Sequence, residues 1–367
     1  MELSVRKSDL VRELHLVQGI VERKSSIPVL SNVLAEARGG ELRISATDLD
    51  VSIRCGCEAE VKQEGAVTLA AKKLYEIARV LPEADVRIKL LPDAWVAVEC
   101  ERSSFKMAGL PREDFPALPE AKARKGVELP GEVVRTLVTR TAFAITAEDA
   151  RYYLAGALLV IEKDGVVMVA TDGHRLAYAR SRGVVKGGDG TRVLVPRKAI
   201  LELGRLLEDG EAVVFQQLEN HLVFSVGRRV LASKMIEGQF PAFEKVVSAS
   251  GDKKISVGRD ALALAVRRVS LLSSERSRAV RVALSKGQLE LSASSPDLGE
   301  AREAVSLEYD GEPVEIGFNA QYLQDFLAAV GSERVSMELK DAESQGIFAP
   351  EGDAAEDYRY VVMPMRL

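Results

Sequence analysis

Gly40-Glu-Leu-Arg-Ile-Ser-Ala-Thr-Asp48 returns about 124 residues later as Gly165-Val-Val-Met-Val-Ala-Thr-Asp172. A weaker third copy is Gly287-Gln-Leu-Glu-Leu-Ser-Ala-Ser-Ser-Pro-Asp297. This period predicts that the 367-residue chain uses one structural repeat of ~120 residues three times. Each repeat is long enough to bury a hydrophobic core of its own, unlike the short repeats of a solenoid.

The three repeats share one predicted order of elements: a helix, short alternating strands, a strand leading into a second helix, and closing strands. Ser8 is the expected N-cap of the first helix. The predicted helices cover residues 7–24, 71–81, 130–146, 196–207, 258–270 and 319–329. The pattern predicts an α+β fold of three similar domains, each with two helices and antiparallel sheets, at residues 1–121, 126–247 and 253–367.

Composition is typical of a globular protein, with 47% hydrophobic and 29% charged residues. No apolar run approaches the ~20 residues that a membrane-spanning helix needs. The N-terminal Met1-Glu-Leu-Ser-Val5 lacks the basic and apolar regions of a signal peptide. We therefore expect a cytoplasmic protein that does not associate with membranes.

The three cysteines do not form a disulfide or metal pattern. Cys55 and Cys57 lie two residues apart in an alternating stretch, so both side chains face the same side of a strand. No further Cys or His cluster follows that could complete a metal site with them. We expect reduced thiols, no metal and no cofactor.

Charge is distributed unevenly, although the net charge is only −5. The six predicted helices hold 15 basic and 8 acidic residues, which leaves 35 basic and 47 acidic residues elsewhere. Basic helix faces often serve only as a solvated surface. If the helices share one face of an assembly, however, they would bind phosphates without reading bases, and the acidic remainder would repel nucleic acid.

Four motifs, together with the repeat, resemble the family of the bacterial DNA polymerase III beta subunit, the DNA sliding clamps. They are Arg151-Tyr-Tyr-Leu154, Thr171-Asp-Gly-His-Arg-Leu176, Gln239-Phe-Pro241 and Val361-Val-Met-Pro-Met-Arg-Leu367. The resemblance covers the whole chain. It implies three clamp domains that form half of a ring, and a non-catalytic processivity factor in DNA replication.

The resemblance also implies a head-to-tail homodimer, and helix geometry allows one. A head-to-tail interface that closes produces a ring. Twelve helices spaced ~10 Å apart give a circumference of ~120 Å and therefore a diameter of ~38 Å through the helix axes. Removing one helix thickness of ~10 Å leaves a hole ~28 Å wide. A DNA duplex about 20 Å wide would pass through such a hole, so the ring would hold double-stranded DNA by topology and without sequence specificity.

The DNA-binding channel is expected to be lined by basic side chains of the helices. Two tyrosines match family positions near the channel and could contact bases or backbone, although ordinary packing explains them equally well. The expected channel residues are Arg23, Lys24, Lys72, Arg79, Tyr152, Tyr153, Arg197, Lys198 and Arg205.

A partner groove between the second and third domains is the other site that the resemblance implies. It would bind the replicative polymerase alpha subunit, the clamp-loader delta subunit, other DNA polymerases and repair proteins. Its Leu, Val, Pro and Met side chains suit an apolar cleft; the alternative is a last core strand with a frayed tail. The matching positions are Leu154, Thr171, Gly173, His174, Arg175, Leu176, Pro241, Val246, Val361, Met363, Pro364, Met365, Arg366 and Leu367.

The ring interface is expected to join the first domain of one chain to the third domain of the other. Leu271 and Leu272 match interface positions of the family, and Phe105 is a candidate on the opposite side. Core packing remains an alternative explanation for each of these residues.

The sequence leaves two other functions open. A hydrolase could use Asp172 and His174 with Ser181, but the sequence has no nucleophile elbow. The ring would need a separate ATP-driven loader to open it, because the sequence has no nucleotide-binding loop. A sequence-specific DNA-binding protein would instead show base preference and stay bound to linear DNA.

Overall fold

The computed structural model describes residues 1–22, 26–119, 126–146, 149–185, 188, 190–207, 210–352 and 356–366. The chain packs as two compact units: Met1–Arg135 with Lys198–Met235, and Thr136–Arg197 with Ile236–Leu367. Each unit contains part of the second sequence repeat. The division into domains at 1–121, 126–247 and 253–367 therefore stays a prediction.

The helices lie close to the predicted positions. The α-helices are α1 (Lys7–Val17), α2 (Ala71–Val80), α3 (Gly131–Thr141), α4 (Arg197–Leu206), α5 (Glu244–Val247), α6 (Arg259–Ser270) and α7 (Ala320–Ala329). Short 3-10 helices cover Pro28–Ser31, Pro92–Ala94, Arg112–Asp114, Ala142–Ala144 and Asp149–Leu154.

The first unit contains one antiparallel sheet of 13 strands among the described residues, in the order β10-β15-β16-β17-β4-β3-β2-β6-β9-β8-β7-β1-β5. The strands, numbered along the chain, are β1 (Glu2–Arg6), β2 (Asn32–Arg38), β3 (Glu41–Thr47), β4 (Val51–Glu58), β5 (Glu60–Gln63), β6 (Gly65–Ala70), β7 (Asp85–Leu90), β8 (Trp95–Cys100), β9 (Ser103–Leu110), β10 (Val127–Leu129), β15 (Val213–Gln217), β16 (His221–Val226) and β17 (Arg229–Lys234).

The second unit contains two antiparallel sheets, with strand orders β14-β11-β12-β13-β25-β24-β23-β18 and β21-β20-β19-β22. The strands are β11 (Gly156–Ile161), β12 (Gly165–Thr171), β13 (Arg175–Arg182), β14 (Arg192–Pro196), β18 (Lys253–Gly258), β19 (Ala279–Ser285), β20 (Gln288–Ser295), β21 (Gly299–Ser306), β22 (Val314–Asn319), β23 (Arg334–Leu339), β24 (Gly346–Pro350) and β25 (Glu356–Val362).

The sequence pattern explains which strands are covered on one or both faces. On β19, Val280, Val282 and Leu284 are buried and alternate with more accessible residues, so one face carries the core. On β11 every residue is buried, as expected for a strand covered on both faces. The core of each unit therefore lies between its sheets and helices.

The start of each repeat differs from the prediction. A strand precedes each opening helix, namely β1, β10 and β18. Leu3 and Val5 alternate as buried residues of β1, a signal that the helical periodicity of the following segment obscured. Ser8 was therefore the wrong N-cap: it lies inside α1, and Arg6 occupies the cap position. Helix α1 also ends earlier than expected, at Val17 with Gln18 as its C-cap, and the next residue is Gly19, which has low helix propensity.

The prediction that Cys55 and Cys57 face the same side of a strand is confirmed. Cys55 and Cys57 both lie on β4 and are 1% and 4% exposed, so they face the same side. Together with Cys100 they are buried free thiols. Burial raises the pKa of Cys57 to about 12.

Candidate functional site

The second copy of the repeated motif ends in a tight turn between β12 and β13. The Asp172 Oδ1 atom accepts hydrogen bonds from the backbone N–H groups of His174 (2.9 Å) and Arg175 (3.0 Å). The Thr171 hydroxyl accepts from Gly173 N at 3.0 Å and donates to Arg175 O at 2.6 Å. Gly173 has a φ of +86°, which a glycine adopts at little cost. These residues are therefore needed for the turn itself.

Arg175 connects this turn to helix α7. Its guanidinium bonds Asp172 Oδ2 at 3.0 Å, Asp325 Oδ2 at 2.6 Å and the carbonyl of Phe143. It also lies 4.2 Å from the ring centre of Tyr322. Although burial by itself lowers the pKa of Arg175, its tyrosine and carboxylate neighbours raise that pKa overall. Only 10% of the side chain is exposed, so its main effect is to fix the turn.

The proposed partner groove contains a buried layer and an exposed layer. Strand β13 pairs with β25 so that Leu176 lies opposite Val361, and both side chains pack in one core cluster. Val246 is partly buried against the same cluster. The alternative interpretation, a last core strand, therefore describes Val361 well. Leu154 and Thr171 are also buried.

The exposed layer follows β25. The Met363 N–H donates to the carbonyl of His174 at 2.8 Å, and Met365 N–H donates to the carbonyl of Gly317 at 2.8 Å. The first bond holds the C-terminal segment beside the turn, and the second ties it to β22. Met363 is 45% exposed. The other accessible positions of the set are Gly173, His174, Pro241, Pro364, Met365 and Arg366, and Leu367 lies outside the described residues.

The predicted channel residues differ in how far their charge is available. Arg79 and Arg197 are exposed, and Arg79 lies over the ring of Tyr75 at 5.5 Å. Lys198 instead bonds the Asp48 carboxylate and donates to the carbonyl of Ile20 at 2.9 Å. Part of its charge is therefore offset within the first unit.

Two further channel candidates have acidic neighbours on their own helix. Lys72 lies 3.8 Å from Glu76, a weak contact that leaves its side chain 71% exposed. Arg205 bonds Glu202 at 2.7 Å. Burial raises the pKa of the Glu202 carboxyl, and Arg205 opposes that rise.

The aromatic channel candidates lie together. Tyr152 is 61% exposed, and its ring meets that of Tyr153 edge to face at 5.7 Å. An exposed tyrosine pair of this kind can contact a base or a sugar. Arg23 and Lys24 lie outside the described residues.

The interface candidates also lie at accessible positions. Leu271 follows α6 and is 73% exposed, whereas Leu272 and Phe105 are half-buried. Sequence reasoning missed the strand edges nearby. Strand β21 ends its sheet, and β9 pairs with β6 only at Gly109 and Leu110, so among the described residues one edge of Ser103–Ala108 has no ladder partner.

The hydrolase alternative is not supported by the geometry. Both oxygens of Asp172 are used, one by the turn and the other by Arg175. Ser181 lies seven residues beyond His174, at the far end of the extended strand β13, which corresponds to roughly 20 Å. A nucleophile and base need hydrogen-bond contact. These three residues therefore do not form a triad.

The described residues contain no group of three or more His, Cys, Asp or Glu side chains placed to hold a metal ion. Within the same ranges, no helix combines the length and apolar character needed to cross a membrane.

Comparison with known families gives matches along the chain. Models of the DNA polymerase III beta subunit match as its N-terminal domain at residues 1–119, its central domain at 128–242 and its C-terminal domain at 244–366. The beta sliding clamp of Pseudomonas putida is 39% identical over 370 residues, and that of Escherichia coli is 35% identical over 370 residues. Each alignment covers 100% of both chains.

Solved structures show the same similarity. The DNA polymerase III subunit beta of Pseudomonas aeruginosa has a TM-score of 0.92 and 37% identity. The DNA polymerase sliding clamp of Caulobacter crescentus has a TM-score of 0.90 and 36% identity. Both comparisons cover 100% of each chain.

Proposed function

Because the chain belongs to the DNA polymerase III beta subunit family, the sliding clamps that act as non-catalytic processivity factors, we propose that two copies close head to tail into a ring around duplex DNA. The observation that carries this proposal is the match of all three domain models of the family along one chain. Three similar domains at 1–121, 126–247 and 253–367 would then supply half of the ring. A clamp acting on the bacterial chromosome would work in the cytoplasm.

Two strand edges and one apolar side chain support the head-to-tail contact. Open strand edges invite pairing with another chain. Pairing of β21 of one copy with Ser103–Ala108 of the other would continue a sheet across the junction. The exposed Leu271, with Leu272, would then be covered by the partner together with Phe105. Such a contact uses different surfaces on the two copies, as a closed ring requires.

Exposed basic residues on α2 and α4 support non-specific DNA contact. Lys72, Arg79 and Arg197 offer accessible charge to phosphates, and Arg205 and Lys198 add weaker contributions because they are paired. Arg23 and Lys24 belong to the same proposal on sequence alone. Tyr152 and Tyr153 would contact DNA where it leaves the duplex form.

The surface formed by His174, Pro241, Val246, Met363 and Met365 is proposed to dock partner peptides. It combines exposed or half-exposed apolar side chains with a turn that is fixed by hydrogen bonds. The proposed occupants are segments of the polymerase alpha subunit, the clamp-loader delta subunit, and other polymerases and repair proteins. Leu154, Thr171, Arg175, Leu176 and Val361 would support this surface from beneath, and Pro364, Arg366 and Leu367 would extend it.

Topological holding is tested with circular DNA. The protein is loaded by a clamp loader and ATP on nicked circular DNA, separated from free protein, and the DNA is then cut once. We expect the protein to stay on the circle and to leave the linear molecule. Retention after the cut would overturn encirclement, and a native mass equal to one 39.9 kDa chain at micromolar concentration would overturn the dimer.

The channel proposal is tested by comparing two arginines near each other in sequence. Arg197→Ala should weaken binding of a short DNA duplex and reduce the slope of log affinity against log salt by about 0.9 if one phosphate contact is lost. The control is Arg192→Ala, which removes an exposed cation from β14 beside Glu244. Equal effects of the two variants would contradict a role specific to the helices.

The partner surface is tested with a labelled peptide from the alpha subunit. Met363→Ala should weaken its binding, because the side chain is 45% exposed and offers apolar contact. Val80→Ala is the matched control, since Val80 is 77% exposed on α2, away from this set in the sequence. Unchanged affinity in Met363→Ala, or an equal loss in Val80→Ala, would overturn the assignment.

A further inference from the structure

The first copy of the repeated turn borders a second groove, which is outside the function proposed above. This groove has a volume of about 520 Å³, within the range of sites that bind ligands. Its walls come from the turn at Thr47–Ser52, the segment Pro116–Pro119 and the turn Leu218–His221. All of these residues belong to the first compact unit.

The turn beside this groove has the same construction as the turn at the proposed partner surface. Asp48 Oδ1 accepts from Asp50 N at 3.0 Å and from Val51 N at 2.7 Å, and the Thr47 hydroxyl accepts from Leu49 N at 3.0 Å. In both copies the strand that follows the turn pairs with a later antiparallel strand: β4 with β17, and β13 with β25. The sequence repeat therefore builds two similar frames.

One residue of the first frame is unusual. Leu49 has a φ of +79°, at the position where the second frame has Gly173 with a φ of +86°. A leucine in the left-handed region is unfavourable, whereas a glycine is not. Burial does not compensate for this, because Leu49 is 46% exposed. Backbone strain of this kind is concentrated at binding sites, and here it holds an apolar side chain at the groove.

The groove lining indicates the chemistry of its occupant. Leu49, Pro116, Leu118 and Leu218 provide apolar surface. The lining includes Asp50 and Glu219, and of the described residues that line it none is Lys or Arg. The Asp50 carboxylate accepts a bond from Lys234 at 2.9 Å.

Glu219 supplies the remaining negative charge. It is exposed, and among the residues that the structure describes it has no ion-pair partner. At the second frame the charges of the turn are already paired, since the Arg175 guanidinium bonds both Asp172 and Asp325. The first groove therefore offers a cation the exposed carboxylate of Glu219, whereas the Asp172 carboxylate of the second frame is already occupied by the turn and by Arg175.

We propose that this groove docks a short extended segment of a partner protein that carries apolar side chains next to a lysine or arginine. The apolar side chains would contact Leu49 and Leu218, and the cation would pair with Glu219. Because its recognition of a cation depends on Glu219, which the other frame does not share, one chain would bind two kinds of partner at the same time.

The test uses the full-length protein and two synthetic pools of fluorescein-labelled octapeptides. Both pools contain two leucines two positions apart among serines and threonines; one has lysine at each end and the other glutamate. We expect saturable binding of the lysine pool, measured by fluorescence anisotropy, and at least about tenfold weaker binding of the glutamate pool. Failure of the lysine pool to bind, or a preference for the glutamate pool, overturns the proposal.

Two variants assign the binding to this groove. Leu49→Gly should raise the thermal unfolding midpoint, because glycine relieves the backbone, and should weaken lysine-pool binding about tenfold. A variant that is more stable but binds less well cannot be explained by misfolding. Glu219→Lys should weaken lysine-pool binding and improve glutamate-pool binding. Unchanged affinities in both variants would overturn the proposal.

Two controls separate this site from other surfaces. Met363→Ala, at the other frame, should leave lysine-pool binding unchanged, and a loss there would assign the binding to that frame and overturn the proposal. Sedimentation should give the same mass for Leu49→Gly as for the wild type. A change in mass would mean that a second copy of the chain occupies the groove, which also overturns a partner-peptide site. Retention of Leu49→Gly on circular DNA reports on the ring independently of this result.

Discussion

Replacing the buried Glu13 with glutamine should destabilise the first compact unit by about 3 kcal/mol. Glu13 lies on α1 and is 1% exposed. Its carboxylate accepts hydrogen bonds from Arg229 Nη2 at 3.0 Å, Arg229 Nε at 3.2 Å and Arg12 Nε at 3.0 Å. This pair connects the first helix of the first repeat to β17 of the second repeat.

The magnitude follows from the charge that the substitution leaves behind. The Arg229 side chain is 13% exposed, so its cation would lose the carboxylate while staying largely out of water. Removing one partner of a buried ion pair costs about 3–5 kcal/mol. Glutamine keeps one acceptor oxygen and Arg12 is half exposed, so we expect the lower end of this range.

The assay is urea unfolding followed by the fluorescence of Trp95, the single tryptophan of the chain, which begins β8 in the same unit. With an m-value of about 3 kcal/mol/M, the midpoint should fall by about 1 M. The control is Glu76→Gln, because that carboxylate pairs with Lys73 at 2.8 Å on the exposed surface and should contribute little. Similar small shifts in both variants would refute the reasoning.

Three further predictions concern other residues. Arg175→Lys should lower the free energy of unfolding of the second unit, followed by circular dichroism in urea, by about 2 kcal/mol, because lysine cannot hold Asp325 and the turn together. The Trp95 transition should stay in place, and a shift of it would contradict this. Burial raises the pKa of Cys57 to about 12, so the thiol should resist disulfide reagents at about pH 8 in the native protein and react with them in urea. The contribution of this thiol to stability should be lost as the pH rises from about 9 towards 12. Rapid reaction of the native protein would contradict burial. Ala94→Gly should raise the free energy of unfolding by about 1 kcal/mol, because Ala94 has a φ of +57°, which glycine adopts at lower cost than alanine. A lower urea midpoint would contradict this prediction.

The family and the fold class could be predicted from the sequence because their signals are local. The repeated Thr-Asp motif, the helical spacing and the terminal heptapeptide each lie within a short stretch. All six predicted helices are found, although α1 and α3 are shorter than expected. Strands β1, β10 and β18 were missed because each is short and leads directly into a helix with a stronger periodic pattern.

The candidate sites were less predictable, because the partner of a charged side chain can lie far away in the sequence. Lys198 matches a channel position, yet its ammonium bonds Asp48, 150 residues earlier. Arg175 matches a groove position, yet its guanidinium bonds Asp325, 150 residues later. No local pattern reports either pair.

The sequence by itself determined the threefold repeat, the basic helices and the family, since periodicity and motif identity are properties of neighbouring residues. Only the tertiary structure decided which cations remain free, which groove residues are core, and that Leu49 holds a left-handed conformation beside Leu218 in a groove bordered by Glu219. The physical reason is that strand pairing, as between β4 and β17, brings together segments that are distant in the chain. Burial and charge neutralisation then follow from those contacts.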